Sequence, residues 1–257
     1  MTHGLDHFKA AFIDLNDQYV VVGGMAAATL MEDAGIEFRL TKDIDLVIIA
    51  NDTDDIAEKL IQYVTNGKYT VKEKNAEKPV YYRFTKPELP EYPFQVEIFH
   101  RKPNGIELLD DQHIVPIKSH SSGTGLSAIL LEDEYFELIR DNSVMDAGLP
   151  IANALAVIAL KARAYNDLKS RKDAGDSIDG REIKKHFRDI FRLTQTLTGE
   201  EMLQISGLPK QHLNRFLSET ESLDTQILKQ LFTSLKIPLT PAKSISLLKS
   251  AFKIEDG

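Results

Sequence analysis

The spacing of apolar residues changes near Ile151, and this change constrains the fold more than any other feature of the chain. Before that point the apolar runs are short and end at Gly or Pro, as in residues 19–22, which stop at Gly23-Gly24. After it apolar positions recur at helical spacing, most clearly over 180–197. The sequence therefore predicts the α+β class, with a small mixed sheet and flanking helices followed by an α-helical C-terminal region.

Individual elements follow from the same patterns. We expect strands at 19–22, 44–50, 69–74, 80–84, 94–99, 106–109, 115–117 and 126–131. We expect helices at 26–33 (starting from the glycine pair), 54–64, 132–140, 151–169, 180–197, 209–219, 222–235 and 241–253. Residues 121–125, Ser-Ser-Gly-Thr-Gly, predict a flexible connector. These elements divide the chain into a core over 1–120, a bridging segment over 121–150 and a helical domain over 151–257.

Composition excludes several classes of protein. The chain lacks cysteine, which removes disulfides, thiolate metal sites and a cysteine nucleophile. Its net charge of −8 argues against a general nucleic-acid coat, although residues 161–192 carry ten Lys/Arg against six Asp/Glu. The N-terminus is too polar for a signal peptide, and no apolar run approaches the roughly 20 residues of a membrane span. We therefore expect a soluble cytoplasmic protein without a membrane partner.

The segment Asp43-Ile44-Asp45-Leu46 carries the strongest chemical signal. Alternate residues of a strand share a face, so both aspartates point one way, with α-carbons roughly 6.5–7 Å apart. Two carboxylates at the start of an apolar strand are costly without cations to neutralise them. Their hard oxygens suit Mg²⁺ or Mn²⁺.

Two further features complete the predicted site. Glu97 is an isolated acid inside an apolar strand pattern and is the best candidate for a third metal ligand. Gly23-Gly24, at a strand-to-helix turn, would let backbone amides approach phosphate oxygens. Each feature alone also fits a structural explanation: a simple turn for the glycines, a solvated edge or cap for the aspartates and a surface position for Glu97. Their order along the chain favours the functional interpretation.

The segments Gly23-Gly24-Met25-Ala26 and Arg39-Leu-Thr41-Lys-Asp43-Ile-Asp45-Leu resemble the nucleotidyltransferase superfamily. They are similar in particular to its AbiEii-like branch, the toxins of bacterial type IV toxin–antitoxin systems. Two further stretches support this branch, one running from Gly125 to Ala164 and the other from Asp179 to Leu193. The resemblance covers about residues 19–195. It departs from the superfamily at the turn, where Gly-Ser is commoner, and at Glu97, where aspartate is commoner.

The resemblance implies a role for each matching position. The catalytic acids would be Asp43, Asp45 and Glu97, all three as metal ligands, and Asp189 would be the general base, positioned by Lys185. The nucleotide would contact Gly23, Gly24, Arg39, Thr41, Lys161 and Lys185, in a cleft that the helical domain completes. Reasoning from the residues alone leaves two alternatives open: a snorkelling lysine at 161 and an ordinary surface pair of Lys185 with Asp189.

The function implied is transfer of a nucleoside monophosphate from a nucleoside triphosphate to an acceptor hydroxyl, with Mg²⁺ or Mn²⁺ as cofactor. An RNA end such as that of tRNA is one such acceptor, and an antitoxin encoded nearby is the expected partner. Two alternatives remain. One is a small-molecule nucleotidyltransferase of the antibiotic-modifying kind, and the other is a catalytically inactive nucleotide-binding module acting through a protein partner.

Overall fold

A computed structural model describes residues 4–71, 82–102, 114–117 and 126–254. The chain divides into two compact units, one of residues 1–32 and 37–153 and the other of residues 33–36 and 154–257. The predicted strand 106–109, the connector 121–125 and the segment 72–81 lie outside the described residues.

The first unit is a mixed sheet with helices. Its strands are β1 (Tyr19–Val22), β2 (Asp43–Ile48), β3 (Thr70–Val71), β4 (Arg83–Thr85), β5 (Gln95–Arg101), β6 (Ile114–Ile117), β7 (Leu126–Leu131), β8 (Ser143–Asp146) and β9 (Leu149–Ala152). Its helices are α1 (Leu5–Phe12), α2 (Gly23–Asp33), α3 (Asp54–Asn66) and α4 (Asp133–Asp141). The strand order is β3-β4-β5-β2-β1-β9-β8, and β7 pairs with both β5 and β6.

Strand β1 lies inside this sheet, antiparallel to β2 and parallel to β9. All four of its side chains are buried, which explains its continuous apolar sequence. Strand β5 runs parallel to β2 along one edge, and its other edge pairs first with β4 and then with β7. This arrangement puts the beginnings of β2 and β5 side by side.

The described part of the second unit is helical. It contains α5 (Ala154–Asp173), α6 (Gly180–Leu193), α7 (Gly207–Glu221), α8 (Thr225–Ser234) and α9 (Pro241–Ala251). Helix α5 packs against α6 and α7, and aromatic rings fill the space between helices, with Phe191 and Phe232 centred 5.0 Å apart. Asp179 caps the N-terminus of α6, because its carboxylate accepts the Arg181 N–H at 2.9 Å.

One predicted helix is wrong at its beginning. Residues 149–152 form β9 rather than the first turn of a helix over 151–169, and α5 starts only at Ala154. Ile151 pairs with Val21 of β1, so a place inside the sheet overrides the local pattern. The sequence patterns also did not predict helix α1 or strand β8.

Candidate functional site

Asp43 and Asp45 share one face of the sheet, as their spacing predicts. Ile44 and Leu46 point the other way and are fully buried, whereas both aspartates are only partly buried. The parallel register aligns Asp43 with Gln95 and Asp45 with Glu97 on β5. Directly aligned residues of neighbouring strands face the same side, so Glu97 lies on the aspartate side of the sheet.

The glycine turn adjoins this face. Val22 is aligned with Asp45, so the chain leaves β1 at Gly23 directly beside the carboxylate. Gly23 has φ 67°, in the left-handed region. A Cβ there would overlap the Asp45 carboxylate and lie 3.1 Å from its Cγ. Glycine is therefore favoured at this turn as long as the Asp45 carboxylate keeps its position.

The segment before β2 brings two more predicted residues to the turn. A Cβ at Gly24 would lie 3.0 Å from the Thr41 hydroxyl oxygen and 3.2 Å from a terminal guanidinium nitrogen of Arg39. Both side chains therefore line the N-terminus of α2, where backbone N–H groups and the helix dipole favour an anion. A hydroxyl donor and a cation lie here beside a carboxylate, a combination suited to phosphate and metal together.

Glu97 forms an ion pair with Arg83, a residue that the sequence patterns did not assign to the site. Arg83 on β4 is aligned with Glu97 across the antiparallel pair. Its Nε donates to Oε1 of Glu97 at 2.6 Å, and its Nη2 donates to the same oxygen. The available signal was weak: Arg83 is a basic residue in the predicted strand 80–84, and only the register reveals its partner.

The grouping of acidic side chains on this face determines its fit to a metal ion. Within the described ranges, no three His, Cys, Asp or Glu side chains are grouped closely enough to hold a cation. Asp43 and Asp45 still offer hard oxygens on one face, and Mg²⁺ commonly binds one or two protein carboxylates together with water and substrate phosphate. The aspartate pair therefore fits a magnesium site. Glu97 as a third ligand stays a prediction, and it would require Arg83 to release the carboxylate.

The predicted lysine and general base form a pair inside the helical unit. Lys161 on α5 donates to Asp189 on α6 at 2.9 Å, and both side chains are almost completely buried. The Arg192 guanidinium lies 3.6 Å from the second carboxylate oxygen. Lys161 is therefore not a snorkelling lysine. Its role in nucleotide binding, and that of Asp189 as base, stay predictions.

The expected positioning of Asp189 by Lys185 is wrong. Lys185 lies on a partly exposed side of α6 and donates to Glu182 at 3.2 Å, one turn earlier. The four-residue spacing to Asp189 allowed either partner, but Asp189 faces α5. A nucleotide contact by Lys185 stays a prediction.

In the part of the chain that the structure describes, no helix is long and apolar enough to cross a membrane. The chain matches no protein-family model and no curated protein. The assignment of a function therefore depends on the geometry around Gly23 and Asp45.

Proposed function

We propose that this chain is a metal-dependent nucleotidyltransferase that moves a nucleoside monophosphate from a nucleoside triphosphate to an acceptor hydroxyl. One observation carries the proposal: the Asp45 carboxylate lies against a left-handed glycine at the start of a helix, with Asp43 on the same face. Arg39 and Thr41 beside Gly24 supply a cation and a hydroxyl for phosphate oxygens.

In the proposed reaction, different residues of the chain would bind the triphosphate and the metal ion. Backbone amides at Gly23 and Gly24, together with Arg39 and Thr41, would hold the triphosphate and orient its α-phosphorus toward the aspartates. Asp43 and Asp45 would hold Mg²⁺ or Mn²⁺, which supplies charge neutralisation to the phosphates. The acceptor oxygen bonds to the α-phosphorus, the bond to the β-phosphate oxygen breaks, and pyrophosphate leaves. The proton of the acceptor hydroxyl passes to a general base.

The biological setting follows only from the resemblance to AbiEii-like toxins. It implies an RNA acceptor such as tRNA and an antitoxin encoded nearby. An adjacent antitoxin-like gene, together with growth arrest on expression that the antitoxin relieves, would support this setting.

The decisive experiment incubates the purified protein with each labelled triphosphate, Mg²⁺ or Mn²⁺, and cellular RNA. We expect label transfer that Asp43→Asn with Asp45→Asn reduces by about a hundredfold or more, the scale of losing a preorganised electrostatic contact. The matched control is Asp14→Asn with Asp17→Asn, which makes the same charge change at two exposed positions of the same unit. Transfer that survives in the first double variant would reject this site.

A further inference from the structure

We propose that Arg83, held in place by Glu97, binds a backbone phosphate of the acceptor strand. The inference rests on the proposed function and assigns a side of the site that no motif in the sequence identifies.

The sheet register sets the order of groups across the site. Val22, Asp45, Glu97 and Arg83 are aligned on β1, β2, β5 and β4. Neighbouring strands lie about 4.8 Å apart, so the backbones at Val22 and Arg83 are separated by about 14 Å. The glycine turn follows Val22. The row therefore runs from the phosphate-binding turn, through the carboxylates, to a guanidinium at the opposite end.

Arg83 is both fixed and accessible. Two of its nitrogens donate to one oxygen of Glu97, whose side chain is only 10% exposed, while 32% of the Arg83 side chain remains exposed. Within the described residues its Nη1 forms no hydrogen bond. A guanidinium has five N–H donors in a rigid plane, so Arg83 retains donors for an oxyanion while Glu97 sets its direction.

The geometry of in-line displacement determines which substrate lies near Arg83. The attacking oxygen must approach the α-phosphorus opposite the leaving pyrophosphate. With the β- and γ-phosphates at Gly23-Gly24, the leaving group lies at one end of the row and the acceptor enters from the other, where Arg83 lies. A strand end carries a phosphodiester beside its terminal hydroxyl, and arginine contacts to phosphate position nucleic acid without reading its sequence.

Glu97 is then a positioning residue that acts through Arg83. This role and that of third metal ligand make different predictions. Loss of a metal ligand weakens binding of the metal–nucleotide complex. Loss of the Glu97 carboxylate that holds Arg83 weakens binding of the acceptor and leaves nucleotide binding intact.

The test measures two affinities separately for the full-length protein. Fluorescence anisotropy reports binding of a short labelled RNA with a 3′-deoxy end, and calorimetry reports binding of a non-transferable triphosphate analogue with Mg²⁺. We expect Arg83→Gln to weaken RNA binding about tenfold and to lower the slope of log affinity against log salt by about 0.7, one single-strand phosphate contact. Analogue binding should not change, and Glu97→Gln should reproduce both results.

The control is Arg140→Gln, which removes a guanidinium paired with Asp141 on α4 of the same unit and should leave both affinities unchanged. If Arg83→Gln does not fold, the double variant Arg83→Gln with Glu97→Gln removes both charges, and the same loss of RNA binding is expected.

Several results would overturn the inference. If the Arg83 variants keep the RNA affinity and the salt slope of the parent protein, the inference is rejected. If Glu97→Gln weakens analogue binding but leaves RNA binding unchanged, Glu97 acts as a metal ligand rather than through Arg83. Absence of analogue binding by the parent protein would instead reject the proposed function, and RNA binding that still depends on Arg83 would then identify a phosphate site without transfer.

Discussion

The two units each contain an acid–base pair that joins neighbouring elements, and the pairs differ in their access to solvent. Arg83 and Glu97 pair across two strands at the candidate site, where the arginine is one-third exposed. Lys161 and Asp189 pair across two helices, with side chains 4% and 0% exposed. The comparison separates a charge pair that solvent reaches from a charge pair enclosed by packing.

Burial changes what each pair contributes. A buried pair offsets its own desolvation only while both partners are present, so loss of one partner is expensive. A pair near the surface is screened by water, so it contributes less to stability and the loss of one partner costs less. Lys161 and Asp189 are thus strongly coupled to stability, and loss of activity in their variants must be separated from loss of folding.

The largest expected change in the free energy of unfolding follows from a substitution in the buried pair. Asp189→Asn should lower the free energy of unfolding by about 3–5 kcal/mol, because it leaves the Lys161 ammonium buried beside a neutral group. Urea unfolding followed by circular dichroism measures this change. The double change Lys161→Met with Asp189→Leu should recover most of the loss. If Asp189→Asn costs less than about 1 kcal/mol, the pair is not enclosed as the structure shows it.

The corresponding change at the sheet should be milder. Arg83→Gln should lower the free energy of unfolding by about 1–3 kcal/mol, because the mostly buried Glu97 carboxylate loses a partner while solvent already screens the exposed third of the guanidinium. The same urea titration measures it. A loss as large as that of Asp189→Asn would remove the distinction between the two pairs.

His100 provides a third case, a buried titratable group bonded to a carbonyl instead of an opposite charge. Burial lowers the pKa of His100; its ring N–H donating to the Ile48 carbonyl at 2.8 Å raises it, and nearby Arg101 lowers it further. Above the unfolded value of about 6.5 both states are neutral and stability is full. As pH falls below that value, the unfolded chain takes the proton first and stability declines.

The measurement is the unfolding free energy on either side of that pH. His100→Phe should flatten the decline, and the ring of Phe136 nearby provides an apolar contact for the substituted side chain. An unchanged decline in this variant would show that His100 does not cause it.

The smallest effect is expected at an exposed pair. Lys68 and Glu88 lie 2.8 Å apart with most of both side chains in solvent. Lys68→Gln should produce no measurable change in the unfolding free energy, because water already screens the pair. A clear loss at this position would weaken the link between burial and energy on which the comparison rests.

Local patterns were sufficient for much of the candidate site. The run 19–22 ending at two glycines predicted β1 and its turn, and the alternation over 43–46 predicted that Asp43 and Asp45 share a face. Strand β7 also has its expected bounds. Such features depend on residues adjacent in the chain, whose geometry a period of two or 3.6 describes directly.

Pairing between distant segments required the tertiary structure. The apolar run from Leu149 fits a helix as well as a strand, and only its place beside β1 decided that it begins as β9. The partners of Glu97 and Asp189 depend on strand register and helix packing, which join residues 14 and 28 positions apart. The sequence by itself determined which residues carry charge and that Asp43 and Asp45 share a face. The fold decided which opposite charge each one meets, because that contact is made by neighbours in space rather than along the chain.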